Sequence, residues 1–154
     1  MVGASRASDD ERATAELVGR LLAEREIVIV CGGLGGVMEA ACRGARSAGG
    51  TTVGILPGDD RTDANEFVDV AVATGMGEGR NALVVRTADA VIAVGGEFGT
   101  LSEIALALRA GKPVVGIGTW ELAKGGVAVG DVVRTDDAAT AVGRSLASAL
   151  VSCR

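Results

Sequence analysis

The stretch Ile27-Val28-Ile29-Val30-Cys31-Gly32-Gly33-Leu34-Gly35-Gly36-Val37-Met38 decides the fold. It opens as a continuous β-branched run, too short for a helix and apolar on both sides. Such a run predicts a strand covered on both faces. Four glycines in five residues then turn the chain. Residues 36–48 follow with helical spacing that ends at Gly49-Gly50, where glycine favours the close of a helix. The same grammar returns downstream. Ala90-Val91-Ile92-Ala93-Val94 runs straight into Gly95-Gly96-Glu97-Phe98-Gly99-Thr100, and a helix is expected over Thr100–Ala110, closed by Gly111 and Pro113.

Outward from these two units the alternation continues. Thr52–Leu56, Val68–Val72 and Val114–Ile117 read as further strands, and Val127–Val133 as a weaker one broken by Gly130. Residues 9–25 form a helix opened by a Ser8/Glu11 capping box, with Thr14, Leu17, Val18, Leu21 and Leu22 on its inward stripe. Residues 79–88 give a weaker helix. Thr135–Val151 gives the last, with Ala139, Val142, Leu146, Ala149 and Leu150 facing inward. Strands alternating with helices imply right-handed crossovers, hence an α/β fold with a mostly parallel sheet and helices on both faces. A single domain over residues 1–154 is expected. Only Met1-Val2 precede Gly3-Ala4-Ser5, so the first strand is expected to be very short, or the true start to lie upstream.

Composition removes whole classes of chemistry. There is no His and no Tyr, so no imidazole base, His–nucleophile pair, His metal ligand or phenolic acid is available, and no metal site is expected. The net charge of −5 argues against a nucleic-acid partner, which needs a basic stripe. Any anion must be held by local devices set against that global field. Cys31, Cys42 and Cys153 show no CxxC or zinc spacing and read as buried thiols of a reducing cytosol. With no apolar run of membrane-spanning length and no signal-like start, a cytoplasmic protein without a membrane partner is expected.

In an open parallel sheet, ligands bind outside the carboxyl ends of the strands. Both glycine turns fall at such ends and open helices, whose free N–H groups favour an anion. Two such turns on separate strands point to a phosphate-bearing ligand. The lysine-bearing P-loop ending is missing, and the GxGxxG fingerprint fails because its third glycine position is Met38. Walker-type ATP hydrolysis and NAD binding are therefore set aside.

Gly32-Gly33-Leu34-Gly35-Gly36-Val37-Met38, Leu56-Pro57-Gly58, Gly79-Arg80-Asn81 and Gly99-Thr100-Leu101-Ser102-Glu103 together resemble the "Lonely guy"/lysine-decarboxylase-like superfamily, most closely its molybdenum-cofactor carrier branch. The likeness runs in order from about Gly3 to Trp120. It implies a Rossmann-like three-layer sandwich, commonly a homo-oligomer (a dimer or tetramer), carrying the molybdenum cofactor as ligand and requiring no cofactor of its own. The superfamily's hydrolytic members cleave the base from nucleoside 5′-monophosphates with an Arg and the Glu of PGGxGTxxE. Arg80 and Glu103 match those residues. Gly95 stands where the motif has proline, Glu97 where it has glycine, and Asn81 where a basic residue usually follows the Arg. These departures favour the carrier branch.

Several side chains have competing readings. Thr100-x-x-Glu103 is also a capping-box pattern, so Glu103 either returns a hydrogen bond to the helix start or serves as an acid at the crevice. Arg80 lies in a glycine-broken stretch, as a solvated surface residue or as a fork gripping phosphate, and Asn81 could assist with its amide. Ser5, after the first strand, is placed to donate to the same anion. The expected ligand contacts are thus Ser5, Gly32, Gly33, Gly35, Gly36, Arg80, Asn81, Gly95, Gly96, Gly99 and Thr100, with Arg80 and Glu103 as the catalytic pair if there is turnover. Met38 reads as core, and Asp59–Asp63 as a solvated polar loop. The lysine-decarboxylase label fails on chemistry, because Lys112 lies on the wrong side of the sheet and Lys124 in a glycine-rich loop, neither suited to a Schiff base. Three functions stay open: a carrier of a phosphorylated nucleotide- or pterin-like ligand, a nucleoside-monophosphate phosphoribohydrolase, and a structural oligomer.

Overall fold

The computed structural model describes residues 1–152, so Cys153 lies outside the described residues. In chain order the elements are β1 (Val2–Gly3), α1 (Asp9–Ala23), β2 (Ile29–Cys31), α2 (Val37–Ser47), β3 (Thr52–Leu56), β4 (Val70–Ala73), α3 (Asn81–Thr87), β5 (Val91–Val94), α4 (Phe98–Arg109), β6 (Val114–Ile117), β7 (Ala123–Lys124), β8 (Val127–Ala128), β9 (Val132–Thr135) and α5 (Ala138–Ser152). Short 3-10 turns precede β4 and α3, at Arg61–Asp63 and Gly77–Arg80.

Strands β1-β5-β6-β9 form one parallel sheet and β2-β3-β4 another. The two meet where the Met1 amino group donates to the Val30 carbonyl at 2.8 Å. Helices α1, α2 and α5 pack one face, with Val18, Met38, Ala41, Val115 and Val142 at the centre of that core. On the other face α3 and α4 bury Val84, Val85 and Ile104 against Val2, Val91 and Val114. This is the α/β architecture with a mostly parallel sheet between two helical layers. Among the described residues no helix is long and apolar enough to cross a membrane.

The chain builds β2, β3 and β4 on one side of β1, then returns to lay β5, β6 and β9 on the other. That reversal of strand order leaves a crevice outside the carboxyl ends of β1, β2 and β5. At the opposite, amino ends, an apolar cavity of about 770 Å³ lies between β2 and β5, lined by Met1, Ile29, Val53, Ile92, Leu146 and Leu150 among others.

The structure differs from the sequence expectations at several places. The capping box of α1 is formed, with the Ser8 hydroxyl accepting from Glu11 N–H and Glu11 accepting from Ser8 N–H. Its buried stripe, however, is Ala15, Val18, Gly19, Leu22 and Ala23, while Leu17 is exposed. The reason is α2. A Cβ on Gly19 would overlap the Ala41 carbonyl, and one on Gly44 would overlap the Glu16 carbonyl, so the two backbones touch through reciprocal glycines. In α5 the buried face is Ala138, Ala141, Val142 and Ser145, leaving Ala139 and Leu150 exposed. Ile27 and Val28 precede the strand and are exposed, and β4, at the sheet edge, exposes Val70 and Val72. Helix α4 begins at Phe98, before the expected Thr100. The weak run 127–133 splits between an antiparallel β7–β8 hairpin and β9.

Candidate functional site

Three helix starts border the crevice. The turn after β2 starts α2 at Gly36, and the turn after β5 starts α4 at Glu97. Neither N-cap supplies a side-chain acceptor to its helix. Helix α3 likewise opens uncapped after Arg80. The contrast with the rest of the molecule is informative: Ser8 caps α1, and the Asp137 carboxylate accepts from Thr140 N–H at the start of α5. Of the helices that open toward the crevice, α2 has its first N–H, that of Val37, bonded to the Ala4 carbonyl at 3.0 Å, and α3 has that of Asn81 bonded to the Glu78 and Gly79 carbonyls. The start of α4 carries no side-chain cap and is the one best placed to offer N–H groups to an anion.

Glycine is required at specific points here. Gly33, Gly36, Gly95 and Gly96 sit at φ 74°, 67°, 54° and 118°, where an L side chain is strained. The value at Gly95 explains the departure from the proline of the motif, since a pyrrolidine ring cannot adopt it. A Cβ on Gly36 would overlap the Ala4 carbonyl, and one on Gly32 would lie 2.5 Å from the Arg80 guanidinium. Arg80 thus lies flat against bare backbone at the end of β2. Gly35 and Gly99 are less constrained, with nothing nearer than 3.8 Å to a Cβ on Gly35 and nothing within 4 Å at Gly99.

The crevice has a volume of about 310 Å³, and Ser5, Arg80, Asn81, Gly99, Thr100 and Glu103 line it together. Gly32, Gly33, Gly35, Gly36, Gly95 and Gly96, expected as ligand contacts, are not among its lining residues; they stand in the turns that lead into α2 and α4. Sequence reasoning missed Leu34 and Glu78 as lining residues. It also reads Met38 as core only, and Glu97 only as a departure from the motif. Met38 is buried in the core yet lines the crevice, and the exposed Glu97 stands at the rim. Spacing offered no signal for Leu34; Glu78 was legible only as a neighbour of Arg80. Asp59–Asp63 are exposed, and the Asp60 carboxylate accepts from Thr62 within the loop.

Arg80 is 8 % exposed, so the solvated-surface alternative is overturned. Its guanidinium faces the Glu103 carboxylate at 3.6 Å, and its Nε–H is buried without an acceptor. Such an orphaned donor costs free energy unless a ligand satisfies it. The capping role for Glu103 is overturned as well. Because α4 starts at Phe98, Thr100 is already inside the helix, and Glu103 projects from its second turn toward Arg80. Burial pushes the Glu103 carboxyl up to about 7, against the opposing pull of the Arg80 guanidinium and then the Met1 ammonium. The Asn81 amide lies 3.4 Å from the Ser102 hydroxyl. Lys112 donates to the Ala88 carbonyl at the amino end of the sheet, far from any Schiff-base role here.

Cys31 and Cys42 are both buried beneath the first turn, their sulfurs 3.6 Å apart, and Gly33 N–H donates to Cys31 Sγ at 3.3 Å.

The arrangement defines an α/β protein with a crevice at its strand-order reversal, lined by Arg80 together with Glu78, Glu97 and Glu103. The chain belongs to the SLOG cluster4 family, whose model matches residues 1–142. It is 46 % identical over 117 residues to an uncharacterized protein of Archaeoglobus fulgidus, covering 76 % of this chain and 77 % of that one. Among solved structures it resembles the molybdenum cofactor binding protein from the phototrophic bacterium Rippkaea orientalis, with 32 % identity, a TM-score of 0.80 and coverage of 96 % of this chain and 90 % of that one. It also resembles the Moco carrier protein from Chlamydomonas reinhardtii, with 33 % identity, a TM-score of 0.82 and coverage of 98 % and 94 %.

Proposed function

We propose that this protein is a carrier that holds a phosphorylated pterin- or nucleotide-like small molecule in the crevice, with the molybdenum cofactor as its cargo. The observation that carries the proposal is Arg80: a buried guanidinium with an unpartnered Nε–H, in a crevice that also takes in the start of α4, which has no side-chain cap. A phosphate there would accept from the Arg80 fork and from the leading N–H groups of α4. Glu103 supports this role by its protonation state. Near neutral pH a carboxyl with a pKa of about 7 is half protonated, which lessens its repulsion of an incoming anion. The names of the Rippkaea and Chlamydomonas relatives supply the choice of cargo.

One observation favours a second function, a phosphoribohydrolase of the Lonely guy type. A buried carboxyl poised near neutrality beside a cation suits general acid–base work and stabilisation of an oxocarbenium-like sugar. Incubation with nucleoside 5′-monophosphates separates the two. A carrier binds guanosine 5′-monophosphate in equilibrium dialysis and releases no free base. Base release that disappears in Glu103→Gln would establish the hydrolase instead.

A further inference from the structure

Aromatic side chains are scarce in this chain: Phe67, Phe98 and Trp120 are all of them. Phe67 packs beneath Arg43 against the α1–α2 core, away from the crevice. The other two meet each other outside the set of residues that line the crevice, their ring centroids 5.5 Å apart at a tilt of 38°. Phe98 is the first residue of α4, and its sequence neighbours Glu97 and Gly99 both line the crevice. It is nevertheless 78 % exposed, the most exposed large hydrophobic among the described residues. Trp120 is held from behind. Its indole N–H donates to the Glu97 carbonyl at 3.2 Å, and its ring packs on the α3–α4 core with Leu122. The preceding Thr119 rests its methyl over Gly116 of β6, which fixes the loop that carries the indole.

We infer that Phe98, buttressed by Trp120, is a stacking shelf for the planar heteroaromatic ring of the ligand whose phosphate lies at Arg80. The inference rests on the crevice holding a phosphorylated ligand and deepens it by assigning the ring's place. An exposed aromatic face beside a phosphate site offers a purine or pterin a π-surface on which to stack. Its cost in the free protein is an unburied phenyl ring, which a stacked ring would cover. Continuity with the crevice selects this occupant: Phe98 opens α4, and the residues on either side of it, Glu97 and Gly99, line the crevice.

Trp120 is the only tryptophan, so its fluorescence reports on the shelf alone. The test titrates the full chain with guanosine 5′-monophosphate and, in parallel by calorimetry, with ribose 5-phosphate, which carries the phosphate and sugar without a ring. Stacking is expected to make the nucleotide bind between about fivefold and 150-fold tighter and to quench Trp120. In Phe98→Ala and Phe98→Leu that ratio falls toward one, and Phe98→Tyr restores it. If ribose 5-phosphate binds and the nucleotide binds no tighter, or if the ratio survives in Phe98→Ala, the shelf is refuted while the phosphate site stands. If neither probe binds, the phosphate site is refuted and the shelf with it. A change of sedimentation coefficient in Phe98→Ala would make the exposed ring a contact between copies of the chain and would also overturn the inference.

Discussion

Replacing Glu103 by Gln tests the electrostatics of the site through the stability of the whole protein. The carboxyl ionises at about 7 in the fold, and 4.5 is its ordinary value, taken for the unfolded chain. Below about 4.5 it is protonated in both states and changes nothing. As the pH rises, the unfolded chain gives up its proton first, so the fold loses stability between about 4.5 and 7, and the loss is complete above that range. The full difference corresponds to about 3 kcal/mol, of which between about 2 and 3 kcal/mol falls between pH 5 and pH 8. Glu103→Gln removes the titration and keeps the shape. At pH 5 the variant and the parent, both neutral at this position, should differ by less than about 1 kcal/mol. On going to pH 8 the parent should lose the stated amount relative to the variant. Urea denaturation of both proteins at half-unit pH intervals reads this difference; the subtraction cancels shared titrations that do not interact with Glu103, while the Met1 ammonium, which does, contributes through its coupling to that carboxylate. Parallel stability–pH curves for parent and variant would falsify the buried, charge-penalised environment assigned to Glu103.

Other expectations follow from the same geometry. Sulfate affinity should fall as the pH rises through about 7, because an ionised Glu103 competes for Arg80; the fall should flatten in Glu103→Gln, and an unchanged profile by calorimetry would contradict the pairing. Arg80→Ala should weaken ribose 5-phosphate binding between about tenfold and a hundredfold, the range of a lost charged hydrogen-bonding group, and equal affinities would remove Arg80 from the site. Gly44→Ala drives a methyl into the Glu16 carbonyl and should destabilise by about 1–3 kcal/mol in urea; a neutral result would show that α1 and α2 are not in backbone contact. Adding Val-Ile-Val before Met1 should raise the Tm, since it fills part of the cavity of about 770 Å³ and replaces a buried ammonium by a neutral amide. An unchanged or lower Tm would show that the cavity does not accept a strand.

The alternation of strands and helices was legible because each β-branched run is bounded by a glycine turn. Arg80 and Glu103 were legible only as motif positions. Pattern alone favoured a cap for Glu103, and burial was invisible for Arg80. The reason is local: Gly95 and Gly96 complete their turn early enough for α4 to begin at Phe98, and that two-residue advance swings Glu103 from the helix start to the crevice. Val18 and Leu22 of the expected α1 stripe are buried, but Leu17 is exposed and the stripe turns toward Ala15 and Gly19, because the contact with α2 selects for absence of side chain at Gly19 and Gly44, which hydrophobicity does not show. Phe98 and Trp120 lie 22 positions apart in sequence, and only the parallel pairing of β5 with β6 brings the loops that carry them together.

The carrier function is tested most directly by mass spectrometry of the small molecules released from protein purified gently and without oxygen, in parallel for the parent and Arg80→Ala. A phosphorylated pterin released by the parent and missing from the variant is the expected result. A parent that releases no phosphorylated ligand, or one that releases the same ligand in the same amount as Arg80→Ala, would contradict it.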